Sequence, residues 1–297
     1  MTLTKKTRDN FTGWAFVAPQ VIGYLLFVAI PIVFSLLLCF SEWDPIDLKM
    51  IFNDFQNFKD IVEIQKFWDA IRNTFVYIIF VVPLTIIISL GLAILTNRKL
   101  PFMKFFKAAL FLPMITSTVA IAMVWFFIYN QYGIINSVLM WLGVSYENLP
   151  MWLESQVFSP IAIIIFSIWM KMGYYYVIFD AAVKNVPNEL YEAAELDGAS
   201  SLTKITKILI PSIGPQMFFV SVMMFIDIFN MFSEVYILTP NGGEGNSTYT
   251  IAMFIYEYAF GVDGNMGIAA VGSWTLFALV GIVTVIQFIF KKKADIE

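Results

Sequence analysis

Six long apolar blocks separated by polar stretches constrain this chain more than any other feature of it. They lie at about residues 14–40, 71–95, 108–129, 158–182, 212–238 and 266–290. A helix needs about 20 apolar residues to cross a hydrocarbon core, and only a helix or a closed barrel satisfies its own backbone there. The blocks therefore predict an all-α integral membrane protein with six transmembrane helices. Composition agrees: 59% of residues are apolar and 13% charged, against about 25% charged in a soluble domain. Pro19, Pro31, Pro83 and Pro113 fall inside the blocks. Prolines are tolerated in such helices where neighbours re-satisfy the freed carbonyls, and they predict kinks or broken ends. The first block is longer than the apolar part of a cleaved signal peptide, so it reads as a retained span.

Lys and Arg orient the bundle. Residues 1–13, 96–107, 183–211 and 291–297 hold thirteen of them; the alternate loops, 41–70, 130–157 and 239–265, hold three. The positive-inside rule places both termini and the 183–211 loop in the cytoplasm. The loop at 41–70 has seven acids and three lysines and reads as a soluble, partly helical outer segment. Trp141, Tyr146 and Trp152 in the second outer loop suit a membrane interface. The third outer loop opens with a Thr239–Gly243 turn signal. It continues into 250–260, apolar but too short to span, which reads as an interfacial or re-entrant helix.

Several chemistries are excluded. Histidine is absent, which removes His-based proton relays, metal sites and triads. The single Cys39 cannot form an internal disulfide. No G-x-x-x-x-G-K-[ST] sequence occurs, so any ATP is held by a partner. No basic domain is present to neutralise nucleic-acid phosphates.

The stretch 186–215 is a polar island between two spans, far longer than the few residues a helix–helix connection needs. It reads as two short helices broken at Asp197-Gly198, with Gly suited to the left-handed residue that ends a helix and Pro187 to the first turn of one. An ordered, charged elbow of this size implies that another protein grips it. Its spacing is specific: Glu192-Ala193-Ala194, three residues, Gly198, nine residues, then Ile208-Leu209-Ile210-Pro211. This resembles the EAA loop of binding-protein-dependent ABC importer permeases. Trp169, Gly173 and Val186-Pro187 resemble positions ahead of that loop in sugar permeases. Leu238–Gly243, Thr248, Tyr256-Glu257, Ala259-Phe260 and Gly267–Ala270 are similar to the outer turn and last span of the carbohydrate-uptake branch, which serves maltose, raffinose, lactose and glycerol-3-phosphate. Glu244 replaces the usual Pro after the paired glycines, which predicts a looser turn. The first span and short loops look more like the first permease partner of a pair.

The resemblance implies type I ABC importer architecture. Residues 1–70 would form a cytoplasmic tail, the first span and the acidic outer loop. Residues 71–290 would form the transmembrane domain with a coupling loop at 186–211, and 291–297 a cytoplasmic tail. This non-catalytic subunit would sit in the cell membrane lipid beside a second ABC permease subunit and above a cytoplasmic ABC ATPase dimer that binds the ATP and Mg; this chain would bind no cofactor itself. An extracellular or periplasmic solute-binding protein would deliver a carbohydrate, moved by alternating access. On the elbow, Glu192 would contact the ATPase, Ala193 and Ala194 leave room for close approach, and Leu196 and Ala199 fill an apolar slot. Gly198 would permit the turn and Pro211 start the fifth span, while Glu195 and Asp197 read as surface charges.

Charges inside spans are costly and face a cavity or a partner. Lys171 and Asp227 lie about 13 and 11 residues from the outer ends of their spans, so at about 1.5 Å per residue they share one depth. They either pair structurally or both line the solute path. Asp227, Asn230 and Glu234 recur at helical spacing and would supply the acceptors and donors a sugar needs. Tyr174, Tyr175, Tyr176, Trp169 and Phe232 offer faces for stacking, although for any one tyrosine core packing is the favoured reading. Ser273 and Trp274 on the last span are further path residues. The acidic stripe favours a neutral sugar over glycerol-3-phosphate or another small solute. A secondary carrier, the rival from another class, would have no docking elbow and commonly shows internal repeats, which are not evident here.

Overall fold

The computed structural model describes residues 5–44, 47, 49–97, 102–262 and 264–294. Helix α1 (Lys5–Tyr24) passes through a π-helical turn (Leu25–Ala29) into α2 (Ile30–Leu38). The ladder widens there because Pro31 has no N–H to give; the Ile30 N–H bonds to Leu25 instead, five residues back. Strands β1 (Ser41–Asp44) and β2 (Lys49–Phe52) form an antiparallel hairpin with Trp43 opposite Met50, followed by α3 (Gln56–Glu63). The hairpin was not expected from the sequence.

Helix α4 (Gln65–Thr96) starts six residues before the expected span and carries Pro83 without a break. Next come α5 (Met103–Ile115) and α6 (Thr118–Ile128). They turn by 106° at an extended Thr116-Ser117, so the expected third span is a bent pair. Helix α7 (Ile134–Trp141) and α8 (Phe158–Lys184) follow. The elbow comprises α9 (Asn188–Leu196), α10 (Ser201–Lys204), a π-helical turn (Ile205–Leu209) and α11 (Ile210–Ser212). As at Pro31, the π turn immediately precedes a proline pair, here Ile210-Pro211. After a 72° bend, α12 (Gly214–Phe229) and α13 (Ser233–Leu238) replace the expected continuous fifth span. Helices α14 (Ile251–Phe260) and α15 (Met266–Ala294) complete the order. By length and composition, the stretches Thr12–Leu38, Gln65–Thr96, Phe158–Lys184 and Met266–Lys292 can cross a membrane, and the two bent pairs bring the count to six if each is one span.

The chain forms two compact units. The first comprises Met1–Glu63 and Ile255–Trp274. Its organising residue is the buried Asn57, whose Nδ2 donates to the carbonyls of Leu38, Cys39 (3.1 Å) and Ser41 (2.9 Å). Those of Leu38 and Cys39 are orphan carbonyls at the end of α2, and that of Ser41 belongs to the start of β1. Gly267 lies against this knot; a Cβ there would run into the Asn57 amide and the Ser41 carbonyl.

The second unit comprises Ile64–Phe254 and Thr275–Glu297. Its axis is α8, packed along α4 and crossed by α5, with α12 against both α4 and α8. Val81, Ala93, Ala162, Ile163, Phe166, Phe179, Val220, Met224 and Ile228 are wholly buried between them. The α5–α8 crossing is close because residue 173 is Gly: a Cβ there would meet the carbonyl oxygen of Leu110. The start of α5 is tied to the end of α8 by Lys107, 3.0 Å from Asp180, which also pairs with Lys184.

Candidate functional site

Two local devices build the elbow. At the end of α9, Gly198 adopts φ +76°. Its N–H bonds to the Glu195 carbonyl (3.0 Å), and the next N–H, that of Ala199, reaches back to Ala194 (2.8 Å). This is a Schellman cap, in which the left-handed residue satisfies helix-end carbonyls. Ala194 and Ala199 thus serve the turn itself. Ser200 then caps α10 by accepting the Thr203 N–H at 3.2 Å. Pro187 lies one residue outside α9, as its N-cap rather than in its first turn.

A third contact was not foreseen. Lys204 on α10 reaches Glu195 on α9 at 2.6 Å, so Glu195 is a surface charge, 63% exposed, that also pairs across the two elbow helices. Glu192 and Ala193 are exposed, and Leu196 is 91% exposed. Leu202 on the next helix is 70% exposed as well. Pro211 sits in α11, roughly 15 Å of helix beyond Ser201 at 1.5 Å per residue, just ahead of the bend at the buried Ile213, after which α12 starts at Gly214-Pro215. Pro211 is therefore apart from the Glu192–Ala199 group.

Within the spans, Lys171 and Asp227 do meet: Nζ lies 2.9 Å from Asp227 Oδ2. Lys171 also lies 3.0 Å from Glu234 Oε1. Lys171 comes from the middle of α8, Asp227 from the last turn of α12 and Glu234 from the first turn of α13, so one ammonium clamps both sides of a helix break. The break runs through Asn230 and Phe232 (φ −128°, ψ −60°). Its Met231 carbonyl is satisfied by the Thr250 hydroxyl at 2.8 Å. The expected stripe of Asp227, Asn230 and Glu234 along one helix is thus corrected. Asn230 ends α12 and spends its amide on the Ile226 carbonyl (2.7 Å), while the two acids converge through the bend.

Of the aromatic residues, Tyr174 is partly exposed one helical turn from Lys171 and packs edge-on against Tyr175 at 5.0 Å. Tyr175 and Tyr176 are buried, and the Tyr176 hydroxyl bonds Thr96 at 2.9 Å. Trp169 packs on Trp125 and Phe232 on Tyr236. Ser273, in the other unit, donates its hydroxyl to the Ala269 carbonyl at 2.9 Å.

The glycine turn at Thr239–Tyr249 is firmly held despite Glu244. Asn241, Gly242, Gly243, Gly245 and Asn246 all have positive φ. Thr239 and Thr248 close the turn through their hydroxyls at 2.8 Å. Asn73 on α4 donates to the carbonyls of Asn246 (2.7 Å) and Tyr249 (3.0 Å).

Apolar helices long enough to cross a bilayer, broken where charge is buried and carrying an exposed, braced elbow, define a multi-pass membrane transport subunit. The family of binding-protein-dependent transport system inner membrane components matches residues 61–295, and the chain belongs to it. The chain is accordingly a non-catalytic ABC permease subunit of the cell membrane. It is 31% identical to the lactose transport system permease protein LacF of Rhizobium radiobacter, covering 94% of this chain and 93% of that one. It is 29% identical to the arabinooligosaccharides transport system permease protein AraP of Bacillus subtilis, covering 92% and 86%. Its fold is shared, with TM-score 0.82 at 21% identity over 96% of this chain and 95% of the other, with a chain of a bacterial alginate ABC transporter solved with an alginate pentasaccharide-bound periplasmic protein.

Proposed function

We propose that this chain is the transmembrane permease subunit of an ATP-driven importer of sugars, oligosaccharides foremost. Six spans with both termini in the cytoplasm would form half of a translocation path, the other half coming from a second permease subunit. A cytoplasmic ATPase dimer would bind the ATP and Mg, and an external binding protein would present the sugar. The relatives named for lactose and for arabinooligosaccharides support the substrate class.

The observation that carries the coupling role is the exposed face of Glu192, Ala193 and Leu196 ahead of the Gly198 cap. An apolar side chain left 91% exposed on a helix braced by a cap and an ion pair is suited to insertion into a partner's cleft. ATP-driven closure of the ATPase pair would draw the elbows together and open the spans outward, and hydrolysis would reset them. Energy can pass this way only if the elbow makes different contacts in the two states. Lys171, Tyr174, Asp227, Asn230, Glu234 and Ser273 are the proposed path residues.

The test is sugar-stimulated ATPase activity of the complete complex with its binding protein in lipid nanodiscs, across a panel of oligosaccharides. Stimulation by at least one sugar, abolished by Leu196→Asp with basal ATPase retained, is expected. Stimulation by none, or solute movement by the lone subunit without ATP, refutes the proposal.

A further inference from the structure

The Lys171 cluster holds two carboxylates and one ammonium, so it carries a surplus negative charge. Helices α12 and α13 contain no Lys or Arg. Among the described residues, Lys171 is the cation in ion-pair contact with Asp227 and Glu234. The three members are not equivalent. The side chains of Lys171 and Glu234 are 11% and 9% exposed, whereas that of Asp227 is 43% exposed. Lys171 and Glu234 have little water and depend on each other for compensation. Asp227 is the member whose charge is open to its surroundings. An ionised carboxylate inside a span does not turn towards lipid; it faces a water-filled cavity or a partner.

We infer that Asp227 is a charge filter in the solute path, passing neutral hydroxylated solutes and rejecting anionic ones such as oligouronates. This rests on the sugar-importer reading above and narrows its substrate class. An ionised carboxylate only accepts hydrogen bonds. A sugar hydroxyl can donate to it, and such bonds to a charged acceptor are the strong ones. A uronate carboxylate has no proton to offer and is repelled. At about 5–7 Å and an effective dielectric of about 20, the repulsion amounts to a discrimination on the order of fiftyfold to a few hundredfold. Glu234 fixes Lys171, and Lys171 holds Asp227 at the helix break, so the surplus charge is kept in place rather than swinging free. The fold does not set this preference by itself, since a fold-mate serves alginate, an acidic polysaccharide. The side chains at the break are where the difference would lie.

The experiment uses the complete complex with its binding protein. The probes are one neutral oligosaccharide and the same molecule oxidised to a uronate at one end. Each is supplied at saturating loaded binding protein, so that recognition by that protein does not enter the comparison. The readout is the ratio of neutral to uronate transport rates, which a uniform loss of activity leaves unchanged. The ratio is expected to exceed about tenfold in the unaltered complex. It should fall towards one in Asp227→Asn and persist in Asp227→Glu. Equal transport of both probes by the unaltered complex overturns the filter without any variant. A ratio that Asp227→Asn leaves intact overturns it as well. In both cases neutral transport would still stand for the importer reading, whereas no transport of either probe would remove that reading and the filter together.

Discussion

Replacing Gly198 separates the turn of the elbow from everything that surrounds it. Gly198 has φ +76°, and a Cβ built there meets nothing within 4 Å. The penalty for a side chain is therefore one of backbone conformation alone, about 1–2 kcal/mol for an L-residue held left-handed. That is roughly a five- to thirtyfold shift in how often the cap is open. A β-branched residue is worse, and Asn is the residue other than Gly that best tolerates the conformation. The order Gly, Asn, Ala, Val is expected in two measurements. One is hydrogen exchange at the Ala199 amide, whose bond to Ala194 exists only while the cap is closed. The other is sugar-stimulated ATPase of the assembled complex. The melting temperature of the spans should barely move, because their packing lies between α4, α5, α8 and α12. If Gly198→Val matches the native residue in both measurements, or Asn gains nothing over Val, the capped turn is not what shapes the elbow.

Lys171→Met leaves Glu234 buried with no cation and should destabilise the protein by about 3–5 kcal/mol, read as a lower melting temperature of the solubilised complex. Lys171→Met combined with Asp227→Asn and Glu234→Gln should recover most of that loss, and no recovery would mean the clamp is not electrostatic. Gly173→Ala drives a Cβ into the Leu110 carbonyl and should destabilise by about 1–3 kcal/mol as α5 is pushed off α8. Unchanged thermal stability of that variant would contradict the crossing described here.

What the sequence revealed follows the range of the forces involved. The elbow was legible because its signals are local: Gly198 ends one helix and Ser200 starts the next within three residues. The meeting of Lys171 and Asp227 was legible from depth alone, since both lie at a similar distance from their span ends. Helical spacing puts Glu234 beside Asp227 on one stripe, and the true route of convergence is not visible in it. The break between α12 and α13 is held by Thr250, nineteen residues away in sequence, and no periodicity within 212–238 reports it. The bend just after Pro211 was hidden for a similar reason. The helix that Pro211 belongs to ends where Ile213 becomes buried, which is a packing event. The β1–β2 hairpin is not legible because its strands are four residues long and neither alternates: β1 is Ser-Glu-Trp-Asp and β2 runs Lys-Met-Ile-Phe.

The parts read separately along the chain form one mechanical series. The cap at Gly198 and the Glu195–Lys204 ion pair join α9 to α10, so on the proposed coupling role a force on Leu196 would pass to the second elbow helix rather than be absorbed at the turn. That helix runs on through its π turn to Ser212 and meets α12 at a 72° bend, where Ile213 is buried and cannot swing freely. On the proposed coupling role, motion of the elbow would reach α12 as rotation about Ile213. The far end of α12 carries Asp227, and past the break Glu234 begins α13; Lys171 on α8 grips both. A rotation of α12 must either carry α13 with it or stretch the Asp227 arm of the clamp. The Glu234 arm is buried and expensive to open, and the Asp227 arm, with its carboxylate 43% exposed, is cheaper to open. Any rearrangement between access states is accordingly expected to fall first on the Lys171–Asp227 contact, where a passing solute can replace one partner with its own hydroxyls.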